Sequence, residues 1–268
     1  MKNDALREKM EEVLASLKNG QYGETCHFLT FTLNDSDQED KDFCAIANKL
    51  LHCDQPKTLP AVVRELIILL FQMAFESGNA DAMNDLGALY YDGSRGFEQD
   101  YGKAVHYYEI AAKNGSRQAQ ENLGYCYYYG RNVPVDYEKA FHYFALGAFD
   151  GHPISLYKIA DMYANGYYVE KNEIEAFHIY EYCMEHMTEE TAEFVAGPVY
   201  LRLGNCFLNG TGTEPNPETA LICYQKAELF LFDMVKGGDL MYRKSLQAAI
   251  DGQAKARAIM AKELPGKN

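Results

Sequence analysis

Tryptophan is absent from this chain of 268 residues, and basic side chains are few. The 25 Lys and Arg residues stand against 39 Asp and Glu residues, which gives a formal net charge of −14. Because binding to phosphates needs an excess of Lys and Arg, this balance argues against nucleic acid as a partner. Disorder is also excluded, since 47% of the residues are hydrophobic and 24% are charged.

Long hydrophobic runs are missing too. The most apolar stretch, Ala61–Phe75, contains Arg64 and Glu65, and its longest uninterrupted run is Leu66–Phe71. A membrane span needs about 20 apolar residues, so this stretch is expected to be a buried helix. The N-terminal sequence is charged and amphipathic, with no apolar core before a small-residue cleavage site, and it does not resemble a signal peptide.

Cysteine usage and catalytic motifs give little sign of chemistry. The seven cysteines are an odd number at irregular spacing, which is unlike a disulfide framework and favours a reducing cytoplasm. Glycine-rich phosphate loops, G-x-S-x-G and H-E-x-x-H are absent. Cys26 and His27 are adjacent and cannot face each other on a helix, and Cys183 with His186 forms one Cys-x-x-His without a second pair. We therefore predict no catalysis and no cofactor.

Two motifs recur together through the middle of the chain. The first motif begins at Leu86 (LGALYYDG), Leu123 (LGYCYYYG), Ile159 (IADMYANG) and Leu203 (LGNCFLNG), at offsets of 37, 36 and 44 residues. The second begins at Asp100, Asp136, Asn172 and Asn216, at offsets of 36, 36 and 44 residues. Such parallel spacing indicates four copies of one structural unit.

Each unit is predicted to contain two helices, which we name helix A and helix B. Helix A should end at a glycine in the C′ position, such as Gly93. A glycine in the middle of helix A costs roughly 1 kcal/mol relative to alanine, so its recurrence predicts close helix–helix approach at Gly87, Gly124 and Gly204. Helix B should begin after the N-cap residues Asp100, Asp136, Asn172 and Asn216.

This pattern resembles the Sel1-like repeat (SLR) family, which is related to the tetratricopeptide repeat. The segment Ala119–Gly151 matches the family pattern almost throughout, including Val133-Pro134 and Lys139-Ala140. Tyr or Ile replaces the usual Trp, the third unit has Ile159-Ala160 for Leu-Gly, and an eight-residue insertion near Glu189–Ala196 precedes the fourth. The resemblance implies an all-α, right-handed α/α superhelix that binds other proteins as a scaffold.

The expected organisation follows from the repeats. Residues 1–57 form an N-terminal helical segment (helices Asp4–Lys18 and Ser36–His52), and residues 58–78 form a degenerate leading helix. Four repeats fill residues 79–235, at about 79–115, 116–151, 152–187 and 188–235. Residues 236–268 form a basic C-terminal capping helix, predicted over Asp239–Leu264. Net charge follows this division, at −4 for residues 1–60, −14 for 61–235 and +4 for 236–268.

Three histidines occupy equivalent positions in the predicted B helices, namely His106, His142 and His178. Packed helices lie about 8–10 Å apart, whereas the ligand atoms of one zinc ion lie within about 4 Å of each other. We therefore expect a row of surface histidines and no metal site.

Partner binding is expected on the concave face of the superhelix, which helix A lines in tetratricopeptide-like arrays. The repeat motif does not fix every position of helix A. Four sets of equivalent positions, which we call columns, are left variable among the repeats. The first is Asn84, Glu121, Tyr157 and Leu201, and the second is Ala88, Tyr125, Asp161 and Asn205. The third is Tyr91, Tyr128, Ala164 and Leu208, and the fourth is Asp92, Tyr129, Asn165 and Asn209. The predicted contact residues are Asn84, Ala88, Tyr91, Asp92, Glu121, Tyr125, Tyr128, Tyr129, Tyr157, Asp161, Asn165 and Asn205.

Tyrosine suits such a face because its apolar ring carries a polar tip. The alternative is that these tyrosines pack between repeats, as the pattern predicts for Tyr127; for Tyr128 and Tyr129 both interpretations stay open.

The main functional hypothesis is a protein-binding adaptor whose acidic body receives a basic peptide or protein segment. One alternative is an immunity or inhibitor protein that masks a basic effector. Another is a structural scaffold that self-associates through its basic C-terminal segment, which leaves a homo-oligomer possible. An enzyme is the fourth and least supported hypothesis.

Overall fold

The computed structural model describes residues 2–17, 22–34, 42–54 and 57–263, and the regular structure of these residues is all helical. The chain divides into two compact units, Met1–Asp136 and Tyr137–Asn268. The first unit contains α1 (Lys2–Ser16), α2 (Gly23–Asn34), α3 (Phe43–His52), α4 (Ala61–Glu76), α5 (Asp81–Asp92), α6 (Tyr101–Lys113) and α7 (Arg117–Tyr129). The second contains α8 (Tyr137–Phe149), α9 (Pro153–Asn165), α10 (Glu173–His186), α11 (Glu189–Asn209), α12 (Pro217–Lys236) and α13 (Arg243–Glu263).

These helices correspond to the predicted repeats, with α5, α7, α9 and α11 as A helices and α6, α8, α10 and α12 as B helices. The boundary between the compact units lies between α7 and α8, the two helices of the predicted second repeat. The division into an N-terminal segment, a leading helix, four repeats and a cap stays a prediction.

The flanking helices differ from the predicted bounds in detail. Helix α3 begins at Phe43 because Asp42 caps it, accepting a hydrogen bond from the Ala45 amide; the earlier part of the predicted helix, residues 36–41, lies outside the described residues. Helix α2 occupies much of a segment for which the sequence made no prediction. The C-terminal helix begins at Arg243, after a 3₁₀ turn over Leu240–Tyr242. Lys18 and Leu264 also lie outside the described residues.

Local signals at the repeat termini are confirmed where the structure shows them. Asp100, Asn172 and Asn216 each accept a hydrogen bond from the backbone amide three residues on. All four A helices end at a glycine in the left-handed region, with φ between 64° and 69°, at Gly93, Gly130, Gly166 and Gly210. Both devices satisfy backbone groups that a helix terminus leaves unpaired.

The predicted close approach of helices A and B is confirmed at two repeats. A Cβ atom on Gly87 would lie 2.7 Å from Cε1 of Tyr108, and one on Gly204 would lie 2.8 Å from Cδ1 of Tyr224. Both tyrosines belong to B helices and are almost completely buried. Each ring therefore lies directly against the backbone of the A helix, where only glycine leaves room for it.

The fourth A helix is much longer than the others. The insertion near Glu189–Ala196 is helical and extends α11 to 21 residues. A capping box at Thr188 and Thr191 starts this helix, and Pro198 lies inside it. The insertion thus extends an existing helix at its N-terminus.

A buried ionic network joins the three helices α9, α10 and α11. Arg202 of α11 contacts the Asp161 carboxylate of α9 through Nε and through Nη2, whose distance to Oδ2 is 2.6 Å. The Tyr180 hydroxyl of α10 donates to Oδ1 of Asp161 at 2.7 Å. Lys158 Nζ lies 3.8 Å from Oδ2, with its side chain almost fully buried. Burial alone would raise the pKa of Asp161, but the charges of Arg202 and Lys158 and the hydrogen bonds hold it below its usual range.

Helices α12 and α13 are joined by a second close contact between Tyr224 and a glycine. A Cβ atom on Gly252 of α13 would lie 2.5 Å from Cε1 of Tyr224, so this ring also lies against the backbone of a second helix. Ala249 is fully buried in the same apolar cluster as Tyr224 and Leu231. Helix α13 therefore packs closely on the last repeat through its small residues.

We predict that Gly87→Ala destabilises the fold, although alanine has the higher helix propensity by about 1 kcal/mol. The new methyl group would overlap the buried Tyr108 ring, and overpacking of this kind costs about 1–3 kcal/mol. Urea denaturation should show a lower midpoint. Gly23→Ala is the control, because nothing lies within 4 Å of the added Cβ. Equal midpoints for the two variants would contradict the close-packing interpretation.

We predict that Asp161→Asn lowers the free energy of unfolding at pH 7 by about 3–5 kcal/mol, since it leaves buried cations unpaired. Because the folded pKa of Asp161 is lowered, its contribution is complete above the unfolded pKa of about 3.8 and is lost as the pH falls through the folded pKa. The difference between wild type and variant should therefore shrink below about pH 4. Denaturation series at several pH values measure it.

The control for this prediction is Glu181→Gln. That carboxylate makes an exposed contact of 3.6 Å with His178, and its loss should change stability by less than about 1 kcal/mol. A loss for Asp161→Asn as small as the control's would show that the network does not stabilise the unit.

Candidate functional site

The first predicted column of A helix positions is buried. Asn84 and Glu121 in the first unit, and Tyr157 and Leu201 in the second, are all at most 8% exposed. Asn84 accepts a hydrogen bond from the Asn122 side chain at 2.9 Å, which links α5 to α7. The side chains of this column therefore belong to the packing between neighbouring A helices.

The second column differs between the two compact units. Ala88 and Tyr125 are half-buried in the first unit. In the second unit, Asp161 is buried in the ionic network, and Asn205 is exposed while accepting a hydrogen bond of 2.8 Å from the Tyr224 hydroxyl. Both positions in the second unit are thus bonded to a tyrosine of a B helix.

The third and fourth columns are the accessible part of the predicted face. All third-column residues, including Tyr91 and Tyr128, are half-buried, and all fourth-column residues are exposed, including Asp92, Asn165 and Tyr129, which is 47% exposed. The accessible aromatic residues of these two columns are all in the first unit.

The first unit brings its accessible tyrosines together around one arginine. We name this cluster the tyrosine patch; it consists of Tyr91, Tyr101, Tyr125, Tyr128, Tyr129 and Arg131. The guanidinium carbon of Arg131 lies 5.0 Å from the centre of the Tyr101 ring and 6.0 Å from that of Tyr129. Tyr129 contacts Tyr128 edge-on at 4.8 Å and stacks with Tyr125 at 6.1 Å, while Tyr91 meets Tyr101 at 5.1 Å. The contacts form a continuous aromatic surface.

The positions of these residues follow from the helix termini. Tyr101 is the first residue of α6, directly after the capping Asp100, and Arg131 follows the C′ glycine of α7. The loop after the A helix of the second repeat, α7, therefore faces the start of the B helix of the first repeat, α6. Burial raises the pKa of Tyr91, and the nearby charge of Arg131 opposes that rise. The patch thus combines phenol groups with one guanidinium group, which suits hydrogen bonding and stacking.

Sequence reasoning missed Tyr101 and Arg131, and it also missed a further column. The residue directly before the Leu-Gly pair is polar in every repeat, at Asp85, Asn122, Lys158 and Arg202. Asp85 accepts hydrogen bonds from Asn84 and from Asn48 of α3, at 3.4 and 3.5 Å. The Asn48 bond links α5 to α3, whereas the Asn122 and Arg202 contacts link neighbouring A helices, one pair in each unit. The recurrence of a polar residue directly before the Leu-Gly pair is the sequence signal from which this column could have been predicted.

Reactive thiols and metal ligands are not assembled in the described part of the chain. Burial raises the pKa of Cys126 to about 12 and that of Cys44, Cys183, Cys206 and Cys223 to about 11, so these thiols stay protonated at neutral pH. His106, His142 and His178 are exposed. Within residues 2–17, 22–34, 42–54 and 57–263, no three His, Cys, Asp or Glu side chains are grouped to hold a metal ion.

None of the described helices combines the length and the apolar character that crossing a bilayer requires.

Solved structures of similar fold are repeat proteins. A Sel1 repeat protein from Oxalobacter formigenes is 21% identical, with a TM-score of 0.59 over 80% of this chain and 83% of that one. The protective antigen c5321 from uropathogenic Escherichia coli, which has an SLR fold, is 19% identical, with a TM-score of 0.55 over 81% of this chain and 45% of that one. At these identities the similarity shows the fold.

A curated relative matches over a shorter stretch. The ERAD-associated E3 ubiquitin-protein ligase component HRD3A of Arabidopsis thaliana is 40% identical over 55 residues, which is 20% of this chain and 8% of that protein. The chain thus spans less than a tenth of the length of this relative.

The sequence profile of the Sel1 repeat matches four segments, residues 80–116, 117–152, 153–182 and 198–228. These segments make up half of the chain. They contain α5 to α9 entirely and most of α10, α11 and α12. Sel1 repeats generally mediate protein–protein interaction. The chain belongs to the Sel1 repeat family.

Proposed function

We propose that this protein is a non-catalytic adaptor that binds a segment of a partner protein on its tyrosine patch. The observation that carries the proposal is the accessibility of this patch, in which the exposed Tyr129 and five half-buried side chains form a continuous surface. Four of its five tyrosines lie at predicted binding positions. The equivalent positions of α9 are used differently, since Asp161 is committed to internal contacts.

The patch has the chemistry of a peptide-binding surface. Tyrosine and arginine are enriched where proteins bind each other, because they combine apolar area with hydrogen-bond donors. The Arg131 guanidinium is positioned by two rings, and its buried Nε has no acceptor among the described residues. A carbonyl oxygen of a bound segment would satisfy this donor after a small rotation of the side chain.

The charge around the patch favours a basic partner. The first unit carries 13 Lys and Arg against 21 Asp and Glu residues. Asp92 is exposed on the same A helix as Tyr91. A field of this sign attracts Lys-rich and Arg-rich segments and repels acidic ones.

The free cysteine thiols support a reducing compartment, such as the cytoplasm, as the location of this protein. All seven cysteines lie in the described residues, and all are free. Protonated buried thiols also give no support to a catalytic nucleophile.

We expect Tyr128→Ala with Tyr129→Ala to weaken partner binding by about 30-fold, which corresponds to about 2 kcal/mol and is typical of aromatic contacts at the centre of an interface. Partners are captured from a lysate of the source organism with the wild-type chain and identified by mass spectrometry. The dissociation constant of each purified partner is then measured by calorimetry against both proteins.

The matched control is Phe149→Ala. This aromatic residue of the second unit is 93% exposed and lies outside the patch, so its removal should leave partner binding unchanged. Equal affinity of wild type and the double tyrosine variant, or equal weakening by the control, would contradict the proposal.

We expect the association rate with the partner to fall as salt increases, because the screening length shrinks from about 10 Å at 0.1 M to about 3 Å at 1 M. The dissociation rate should change less, since it depends on the aromatic contacts. Stopped-flow fluorescence across this salt range measures both rates. The tyrosine variants should dissociate faster while keeping the same salt slope of association. An association rate that is independent of salt would rule out a basic partner.

A further inference from the structure

Helix α10 carries an exposed stripe that mixes bulky apolar and acidic side chains. Ile174, His178 and Tyr182 recur at four-residue intervals, and Ile174 and Tyr182 are 60% and 48% exposed. Glu181 and Glu185 lie on the same side of the helix, at helical spacing from the first three. Buried residues of α10, such as Tyr180 and Cys183, lie on the opposite side. The stripe is therefore an outer face of the second unit.

The extension of α11 enlarges this surface. Only Met187 and Thr188 separate the end of α10 from the start of α11. The exposed residues of the extension are Glu189, Glu190, Glu193 and Phe194, the last of which is 58% exposed. Between Lys171 and Arg202 the chain has seven Glu residues and no Lys or Arg. We name the α10 stripe and these four residues the acidic face.

Helix α13 has the opposite character. It carries five Lys and Arg residues against two acidic ones, and its cations Arg243, Lys244, Lys255, Arg257 and Lys262 are all exposed. Its inner side packs on the last repeat through Ala249, Gly252 and Ala256. Its outer side has Ile250, 41% exposed, and the small residues Ala254, Ala258 and Ala261 among the cations. We name this outer side the basic face.

The two faces are complementary in charge and differ in side-chain size. One combines carboxylates with bulky side chains that project from their helices, while the other combines cations with alanines that allow close approach. Both faces are exposed in the same unit, and α13 is already held against α12 and α11. We propose that the acidic face of one copy binds the basic face of a second copy.

This contact is head-to-tail, because the two surfaces are different. Each copy keeps one unused face after pairing, so further copies add to either end unless the rotation closes a ring. The proposal goes beyond partner binding and uses none of the residues of the tyrosine patch. Failure of either one therefore leaves the other untouched.

The experiment measures molar mass by light scattering on the full chain. With a dissociation constant of about 10 μM, more than half of the protein would be associated at about 100 μM. We expect the mass to rise above the monomer value of 30.4 kDa with concentration and to return to it at high salt. A chain that stays monomeric at about 100 μM in low salt overturns the proposal.

Charge reversal tests the two faces separately. The acidic-face variant is Glu185→Lys, Glu190→Lys and Glu193→Lys, and the basic-face variant is Lys244→Glu, Lys255→Glu and Lys262→Glu. Each should be monomeric alone, and an equimolar mixture should associate, because the reversed basic face now fits the reversed acidic face. Association that survives either reversal overturns the proposal, as does a mixture that stays monomeric.

The matched control separates a specific contact from a net-charge effect. Each Glu→Lys change adds two charges, so the acidic-face variant has a net charge of −8 in place of −14. The control variant Glu8→Lys, Glu98→Lys and Glu214→Lys has the same net charge and changes exposed residues elsewhere. The control should associate at least as strongly as wild type. Monomeric behaviour of the control as well would overturn the specific pairing.

A second measurement does not depend on the folding of the variants. Equal amounts of isotopically light and heavy wild-type protein are mixed and treated with a carbodiimide, which joins Lys amines to carboxylates in contact. Mixed-isotope peptides that join α13 to α10 or to the first turn of α11 are expected. Intermolecular links that omit these segments would overturn the proposal.

Discussion

The close approach of a glycine in helix A to a tyrosine in helix B is the contact on which the repeats depend. A Cβ atom on Gly87 or Gly204 would overlap the ring of Tyr108 or Tyr224, so each ring lies directly against a helix backbone. The glycine costs roughly 1 kcal/mol of helix propensity. Burying an aromatic side chain of about 150–250 Å² at about 25 cal/mol per Å² contributes about 4–6 kcal/mol, as an upper estimate. The exchange favours the packed pair, and Gly252 makes a second contact of this kind with Tyr224, where α13 packs against α12.

With this pairing fixed, the two units use the same A helix positions in opposite ways. In the second unit, Asp161 and Asn205 each bind the hydroxyl of a B helix tyrosine, and Asp161 also neutralises Arg202. These bonds hold the side chains in place and leave them little capacity for a ligand. In the first unit the corresponding positions are Ala88 and Tyr125, which are half-buried beside the other accessible tyrosines. Internal bonds thus hold these positions in the second unit, whereas Tyr125 in the first unit belongs to the proposed binding surface.

The features that could be predicted from the sequence are those set by near neighbours. Capping at Asp100 and the left-handed Gly93 depend on residues within one turn, and the repeat spacing fixes the helix pairs. Burial of the site residues depends on distant partners. Asp161 belongs to a residue type that is usually exposed, and its burial is made possible by Arg202, 41 residues further along the chain. The length of α11 could not be predicted from the sequence either, because a proline inside a helical pattern, such as Pro198, normally marks an end or a kink of the helix.

The structure also separates the acidity of the chain from the predicted binding columns. Among the sixteen A helix positions of the four columns, Asp92 is the exposed carboxylate, while Glu121 and Asp161 are buried. Many exposed acids instead lie on B helices and helix termini, as Glu175, Glu185 and Glu190 do. Charge that lies beside a contact surface acts over the screening length, so it attracts a partner without having to be desolvated. In the proposed adaptor, the aromatic rings at the surface would make the contact itself. Such a division would allow a strongly acidic protein to bind through a face that is itself nearly neutral.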